Sequence, residues 1–316
     1  MKTNPDDSLG SVGQAWFSPW TANAERFSKV RIFALHSSRM PLPYVRYMAD
    51  IDELWGAESE AHNLLARQAF PILFSRLTQI DERRAQLSVS RGSRMDGDNE
   101  ATRPVALGNQ VEHLLAVSSD HLGMMRTYIE ELHIAPPFAM FSLVRASIEA
   151  SCIGLWLLLH AKRKERIERT LQLFWFNRLD VSQLHNLRGQ PDKVEIEELR
   201  IRLTEIVSRH KSLQNFEIGA KPLTTTTDMI LDAQRRLKNA PPMPALDAWK
   251  ACSGITHSNL SAALSLLGVR YVGNDNEWGA RHEVKAPLLS LATIFDTGVF
   301  YAEALLDAHE ESSRSH

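Results

Sequence analysis

The most regular feature of the chain is a helical spacing of apolar residues that runs from about residue 111 to near the C-terminus. Apolar positions recur every three or four residues, which is typical of helices that bury one face. The spacing predicts helices over residues 111–132, 137–160, 163–187, 194–210, a shorter one from the 224–228 cap to 237, and then 246–267 and 287–308. Only the stretch GVRYVGNDNEWG suggests strands, with Gly273-Asn274-Asp275 as the turn of a small two-stranded ribbon. The predicted fold is therefore all-α, an antiparallel bundle of about six helices with at most a small β-ribbon.

The N-terminal third has a different pattern and predicts an arm beside the bundle. Residues 1–27 are loosely patterned, Pro41 and Pro43 precede the helical run YVRYMADIDELW, and a second helical run ends near Arg84. Residues 88–104 are polar, lack an apolar period, and are rich in Ser, Gly, Asp and Asn, which is typical of a linker or mobile loop. We therefore expect an N-terminal segment and helical arm over 1–87, a linker or mobile loop over 88–107, the bundle over 108–309, and a disordered tail over 310–316.

Composition and charge exclude several classes of protein. The 316 residues carry 36 Lys and Arg against 38 Asp and Glu, which gives a formal net charge of −2. This balance excludes a globally basic nucleic-acid binder and a mostly disordered acidic chain. The two cysteines, Cys152 and Cys252, lie in predicted helices beside apolar neighbours, so we expect buried free thiols. The sequence contains no Cys-x-x-Cys, which excludes a thiolate zinc site of that type.

The hydropathy of the chain predicts a cytoplasmic protein that does not enter a membrane. The N-terminus has no apolar core after its single lysine, so it does not resemble a secretory signal. The most apolar stretch, residues 150–159, is shorter than the roughly 20 residues that a membrane span needs. A longer segment that begins at Ile134 would include the charges of Arg145 and Glu149, which are costly at the centre of a bilayer.

These two charged residues are the first candidates for a functional site. Arg145 and Glu149 are the only formal charges between Ile134 and Leu159, and their spacing of four places them on one helix face. Charges on an apolar helix are costly to bury unless they are paired. Two interpretations remain open: a core ion pair that fixes the register of the helix, or a site that faces the interior of the bundle.

A second candidate pair lies in the later run WKACSGITHSNLSAAL. Ser253 and His257 are again four residues apart, and Gly254 between them indicates a close approach of two helices. The histidine is either a satisfied, partly buried side chain or a proton carrier. A serine-hydrolase triad is disfavoured, because a serine in the middle of a helix lacks the strained elbow and the oxyanion hole of such enzymes.

The combination of an LVRASIEA helix with a later SGITHSN helix resembles a group of uncharacterised bacterial helical proteins related to HEPN domains. The resemblance covers roughly residues 111–309 and leaves out the arm. It implies a helical bundle of a type that commonly dimerises, in a defence or stress system. Some HEPN members are metal-independent ribonucleases in toxin–antitoxin or phage-defence systems. The implied partners are RNA, a second copy of the chain, or a cognate antitoxin-like protein.

Active HEPN ribonucleases carry an arginine followed after four to six residues by a histidine. The chain has this spacing three times, at Arg31…His36, Arg126…His133 and Arg178…His185. The third pair is the best placed, late in a long helix, and the resemblance implies Arg178 and His185 as an alternative catalytic pair. Arg178 is followed by Leu179, where active members usually have a polar residue.

The leading hypothesis is a HEPN-like protein that either cleaves RNA without a metal or is a catalytically silent relative. Such cleavage needs a group that moves a proton and a cation that stabilises negative charge on phosphorus. His257 would carry the proton, Arg145 would stabilise the charge, Glu149 would orient one of them, and Ser253 would line the same cleft. The rival hypothesis is a non-enzymatic interaction module in which these four residues form a structural polar network.

Two further features leave alternatives. The basic run AKRKER at residues 161–166 is either a solvated helix start or a patch that faces RNA. Asp120-His121 together with Glu149 and His257 offers carboxylate and imidazole groups, and Glu130-x-x-His133 offers a second set. The sequence has no second Glu-x-x-His and no His-x-x-x-His, so it predicts neither a metal nor another cofactor.

Overall fold

The computed structural model describes residues 30–34, 58–189, 193–239, 241, 243–276 and 279–315. Within these ranges the chain forms ten α-helices and a small antiparallel sheet. The helices are α1 (Glu60–Arg84), α2 (Arg94–Thr102), α3 (Leu107–Arg126), α4 (Ala139–Leu158), α5 (Arg163–Leu187), α6 (Lys193–Ser208), α7 (Thr226–Arg236), α8 (Ala245–Thr256), α9 (Leu260–Leu266) and α10 (Leu288–Ser313). The strands are β1 (Val30–Ala34), β2 (Gly268–Asn276) and β3 (Gly279–Lys285).

The main core lies between α3, α4 and α10. Leu115 and Leu122 of α3, Val144 and Ile148 of α4 and Phe295 of α10 are completely buried there. Helices α7 and α8 pack on α4, and α1 packs on the outer side of α10. The prediction of an all-α bundle with at most a small β-ribbon is confirmed. The periodicity succeeded because each of these helices buries one apolar stripe.

Helix α1, the helix described within the predicted arm, packs on the bundle of its own chain. Its apolar face, including Phe74 and Leu77, joins the main core. Arg76 forms ion pairs with Asp296 at 2.5 Å and Glu303 at 2.6 Å, both on α10. The predicted helix over 44–55 and the segment 1–27 lie outside the described residues.

The prediction of a linker or mobile loop over residues 88–107 is wrong for α2. Ser93 caps this helix, because its hydroxyl accepts a hydrogen bond from Asp96 N at 3.1 Å. Met95 is buried, and the Asp98 carboxylate binds Arg166 of α5 in the protein interior. This long-range ion pair helps to anchor the segment together with buried Met95, and such a pair leaves no apolar period in the sequence.

The helix predicted over residues 246–267 is broken into α8 and α9. Ser258 has φ 57°, and the Asn259 side chain caps α9 by accepting from Ala262 N at 3.1 Å. The two helices meet closely at Gly254, where an added Cβ would lie 2.6 Å from the Cβ of Ala262. The glycine does permit a close approach, and the partner is the next helix along the chain.

The structure also differs from the sequence-based boundaries in the ribbon and in the tail. Residues Gly273–Asp275, expected to form the turn, lie within β2, where the pairing with β3 is irregular. β1 adds a third strand on the other side of β3.

The prediction of a disordered tail over 310–316 is wrong for its first four residues, since α10 continues to Ser313. Ser313 is buried, and its carbonyl accepts from Ser90 N at 3.0 Å.

Among the described residues, α4 and α10 are long and apolar enough to cross a membrane by length and composition alone. In the folded chain most of each apolar stretch is buried in the bundle, at 67% and 56% respectively. Core helices of soluble proteins share this property. The fold is therefore compatible with a soluble protein.

Candidate functional site

A line of polar contacts joins α4 to α8, and we call it the polar seam. It consists of Ser142, Arg145 and Glu149 on α4 and Trp249, Ser253 and Thr256 on α8. The two helices run antiparallel, so residue 142 is opposite 256, 145 is opposite 253, and 149 is opposite 249. The spacing of three or four residues on each helix keeps all six side chains on the facing surfaces.

Arg145 occupies the middle of the seam and makes three interactions. Its Nε donates a hydrogen bond to Ser253 Oγ at 2.8 Å. Its terminal nitrogen lies 3.2 Å from Glu149 Oε2, and its guanidinium carbon lies 5.0 Å from the centre of the Trp249 ring. The side chains of Arg145 and Glu149 are 22% and 28% exposed, so both charges are largely removed from water. The guanidinium is thus held by a carboxylate, a hydroxyl and an aromatic face.

Ser253 and Glu149 are also engaged by further contacts within the seam. The Ser253 hydroxyl donates to the Trp249 carbonyl oxygen at 2.7 Å while it accepts from Arg145. Glu149 Oε2 accepts from the Trp249 indole nitrogen at 2.9 Å in addition to its contact with Arg145. A serine whose proton is bonded to a backbone carbonyl lacks an adjacent base to activate it.

His257 lies outside the seam. It follows the last residue of α8, and its backbone N–H donates to the Ser253 carbonyl at 2.9 Å. Its side chain is exposed, and no other described residue forms a hydrogen bond or an ion pair with its ring. Of the four residues predicted to share one cleft, the structure brings together Arg145, Glu149 and Ser253 and leaves His257 at the surface.

Three members of the seam, Ser142, Trp249 and Thr256, are not among the predicted site residues, and Trp249 is the one that contacts the charged pair. It contacts both Arg145 and Glu149 and thereby connects the two charges to α8. The signal was available in the sequence, because Trp249 precedes Ser253 by four residues and so shares its helix face. An aromatic residue on an apolar helix face usually indicates a core position, so the sequence alone does not predict the polar contacts of Trp249.

The alternative pair, Arg178 and His185, lies near the C-terminal end of α5. Arg178 donates to Glu195 Oε2 of α6 at 2.6 Å, which links the two helices. Both side chains are half-buried, and their separation of seven residues places them on the same face of α5. Arg178 also lines a cavity of ≈ 420 Å³ between α3 and α5.

The basic run at residues 161–166 is largely used within the protein. Arg166 is 4% exposed and binds Asp98 through two contacts, at 2.6 and 3.2 Å. Arg163 lies 3.3 Å from the same carboxylate, and Lys164 lies 3.6 Å from Glu168. The interpretation as a wholly solvated helix start is therefore wrong for Arg166, because this arginine is buried against α2.

The described residues contain no group of three or more histidines, cysteines and carboxylates placed to hold a metal ion. The His121 ring donates from Nδ1 to the Val117 carbonyl at 2.7 Å, within its own helix. Both cysteines are buried, as expected. Burial raises the pKa of the Cys252 thiol to about 12 and raises the pKa of the Cys152 thiol further still.

Comparisons of the chain with protein-family models, with curated proteins and with solved structures found no match.

Proposed function

We propose that this chain is a HEPN-like helical-bundle protein that acts as a non-enzymatic interaction module, in which the polar seam is structural. The observation behind the proposal is that Arg145 already has three partners within the seam. Its guanidinium is committed to Ser253, Glu149 and Trp249, so binding a phosphate would require it to leave partly buried partners. Satisfied polar networks of this kind align helices and specify one packing.

The proposal needs a surface on which a partner binds. α5 exposes Val181, Leu184 and Leu187, and α6 exposes Val194 at 72% and Ile201 at 50%. Apolar side chains grouped on neighbouring helices are typical of protein–protein contacts. We propose that a second copy of the chain packs on this surface in the cytoplasm, with an antitoxin-like protein as the alternative partner.

Analytical ultracentrifugation tests the partner surface. Leu187→Asp, at an exposure of 85%, should shift a dimer of the parent protein toward monomer without lowering its melting temperature. Leu65→Asp on α1, at an exposure of 52%, is the matched control and should leave the dimer intact. A parent protein that is monomeric at all concentrations would remove the second copy as the partner.

A ribonuclease is the second candidate, and the exposure of His257 favours it. The histidine lies at the open end of the seam, next to Thr256, whose hydroxyl pairs with Ser142 at 3.1 Å. Its exposed imidazole is accessible to a substrate from solvent. Arg145 would have to exchange Glu149 for an RNA phosphate.

One experiment separates the two candidates. The parent, His257→Ala, Arg145→Met and Arg178→Ala are each incubated with mixed RNA in EDTA, and their melting temperatures are measured alongside. For an interaction module, no protein cleaves RNA, Arg145→Met melts at a lower temperature, and His257→Ala melts like the parent. Cleavage by the parent that is lost in His257→Ala would instead establish the enzyme, and loss only in Arg178→Ala would move the site to α5.

A further inference from the structure

A groove of ≈ 550 Å³ lies between α1 and the turn that follows α3, and we call it the α1 groove. Its floor is apolar and includes Phe70, Phe74, Ile129, Ile134 and Leu288. Phe70 and Phe74 stack with ring centres 5.6 Å apart. The volume and the apolar lining are those of a small-molecule site. The groove shares no residue with the polar seam, so a ligand could bind there whether or not the proposed function is correct.

The wall of the groove opposite α1 has an irregular backbone. After α3 the chain forms a π-helical turn over Thr127–Glu131, in which Leu132 N donates to the Thr127 carbonyl at 3.0 Å. His133 then adopts φ 53°, a conformation that costs free energy for a residue other than glycine. This path places Ile129, Glu130 and Ile134 along one groove. π-Helical turns occur frequently at functional sites.

The α1 side of the groove also departs from regular helix. Pro71 lies inside α1 and lines the groove. Because proline has no N–H, the Arg67 carbonyl does not receive its usual backbone hydrogen bond from four residues ahead. The Arg67 side chain on this wall is exposed.

Besides the His133 imidazole, the groove carries one formal charge of each sign above its apolar floor. Arg67 lies on α1 and Glu130 on the opposite wall, and both line the groove. Within the described residues these two charges do not form an ion pair with each other, and the nearest cation to Glu130 is Arg126, at 4.0 Å. The Glu130 side chain is 57% exposed, so a ligand can bind its carboxylate without any rearrangement of buried residues. A ligand with a single charge would contact only one of the two groove charges.

We propose that the α1 groove binds an apolar α-amino acid of the leucine or phenylalanine type. The ligand carboxylate pairs with the Arg67 guanidinium, and its ammonium pairs with the Glu130 carboxylate. Its side chain covers Phe70, Phe74 and Leu288. A zwitterion with an apolar side chain is the smallest ligand that matches both charges and the floor.

Isothermal titration of the full chain with L-leucine and three analogues tests this chemistry. Glycine lacks the apolar side chain, N-acetyl-leucine lacks the ammonium, and leucinamide lacks the carboxylate. The parent should bind L-leucine, and each analogue should bind about tenfold more weakly or worse, since each loses one charge-assisted or apolar contact. The same three analogues distinguish a free amino acid from the end of a peptide, which carries only one of the two charges.

Two variants test which groove residue binds each charged group of the ligand. Glu130→Gln should weaken L-leucine binding about tenfold and abolish the preference for L-leucine over N-acetyl-leucine. Arg67→Gln should do the same for the preference over leucinamide. Glu131→Gln and Arg84→Gln remove the same charges outside the groove and should bind like the parent. All four positions are at least partly exposed, so the variants are expected to fold.

Three results would overturn the proposal. The first is that L-leucine and L-phenylalanine fail to bind at about 1 mM, an affinity that two charge-assisted contacts should reach. The second is that N-acetyl-leucine or leucinamide binds the parent as tightly as L-leucine. The third is that Glu130→Gln and Arg67→Gln bind L-leucine as tightly as their controls, which would locate the ligand elsewhere.

Discussion

Replacing Asp98 by asparagine should destabilise the whole domain, although this residue lies in a stretch whose sequence predicts a linker. The Asp98 carboxylate is 3% exposed and binds the Arg166 guanidinium at 2.6 and 3.2 Å. Asparagine has the same shape and no charge, so the change leaves a buried arginine without its counter-charge. Breaking a buried ion pair in this way typically costs about 3–5 kcal/mol.

The expected cost lies at the lower end of that range. Arg166 also donates to the carbonyls of His160 at 2.8 Å and Ala161 at 3.1 Å, and these bonds survive the change. We therefore expect a loss of about 3 kcal/mol in the free energy of unfolding. At roughly 2 °C per kcal/mol for a chain of this size, the melting temperature should fall by about 6 °C.

Urea denaturation followed by circular dichroism measures this loss, with two controls. Glu100→Gln neutralises a 63% exposed carboxylate on the same helix and should change the free energy by less than about 0.5 kcal/mol. Asp98→Asn combined with Arg166→Met removes both members and should recover part of the loss, because no unpaired charge remains. A loss below about 1 kcal/mol in Asp98→Asn, or a double variant less stable than the single, would refute the reasoning.

Three further predictions follow from buried or close contacts. Cys152 and Cys252 should resist alkylation at pH 8 in the native protein and react fully in denaturant, because burial raises the pKa of both thiols; native reaction at the free-thiol rate would contradict this. Burial alone would raise the pKa of Asp232, but hydrogen bonds from two arginines outweigh it and hold the pKa below its ordinary 3.8. The stability from this carboxylate is therefore complete above that value and is lost as pH falls through the lowered pKa, so melting temperature should fall less steeply below about pH 4 in Asp232→Asn than in the parent. Gly254→Ala should cost about 1–3 kcal/mol in urea titrations, since the new Cβ would lie 2.6 Å from Ala262; an unchanged midpoint would show that α9 moves freely.

Much of the helical architecture could be predicted from the sequence because it depends on local period. The helix predicted over 163–187 matches α5 at both ends, and the threonine cap before α7 was recognised, with Thr225 accepting from Asp228 N. The polar seam was predicted in part for the same reason. A spacing of four residues placed Arg145 with Glu149 on one face, and the rarity of charge on this apolar helix marked them.

One error occurs where a local cap interrupts a continuous apolar period. Ser258 adopts φ 57° and Asn259 caps α9, which turns back against Gly254, although the apolar spacing continues through this break. The spacing of four residues places His257 on one face with Ser253 only if the helix continues past Thr256. Because α8 ends at Thr256, the histidine lies at the surface.

The sequence by itself determined that this protein is a bundle of amphipathic helices and that two pairs of polar residues lie on apolar faces, because the helical period relates residues three and four apart. Only the tertiary structure decided which faces meet. It joined Arg145 to Ser253 and Trp249 across α4 and α8, and it buried Asp98 against Arg166. It also placed Arg67 and Glu130 along one groove. Such pairings join residues far apart in the chain, and local periodicity carries no information about the partner of a helix face.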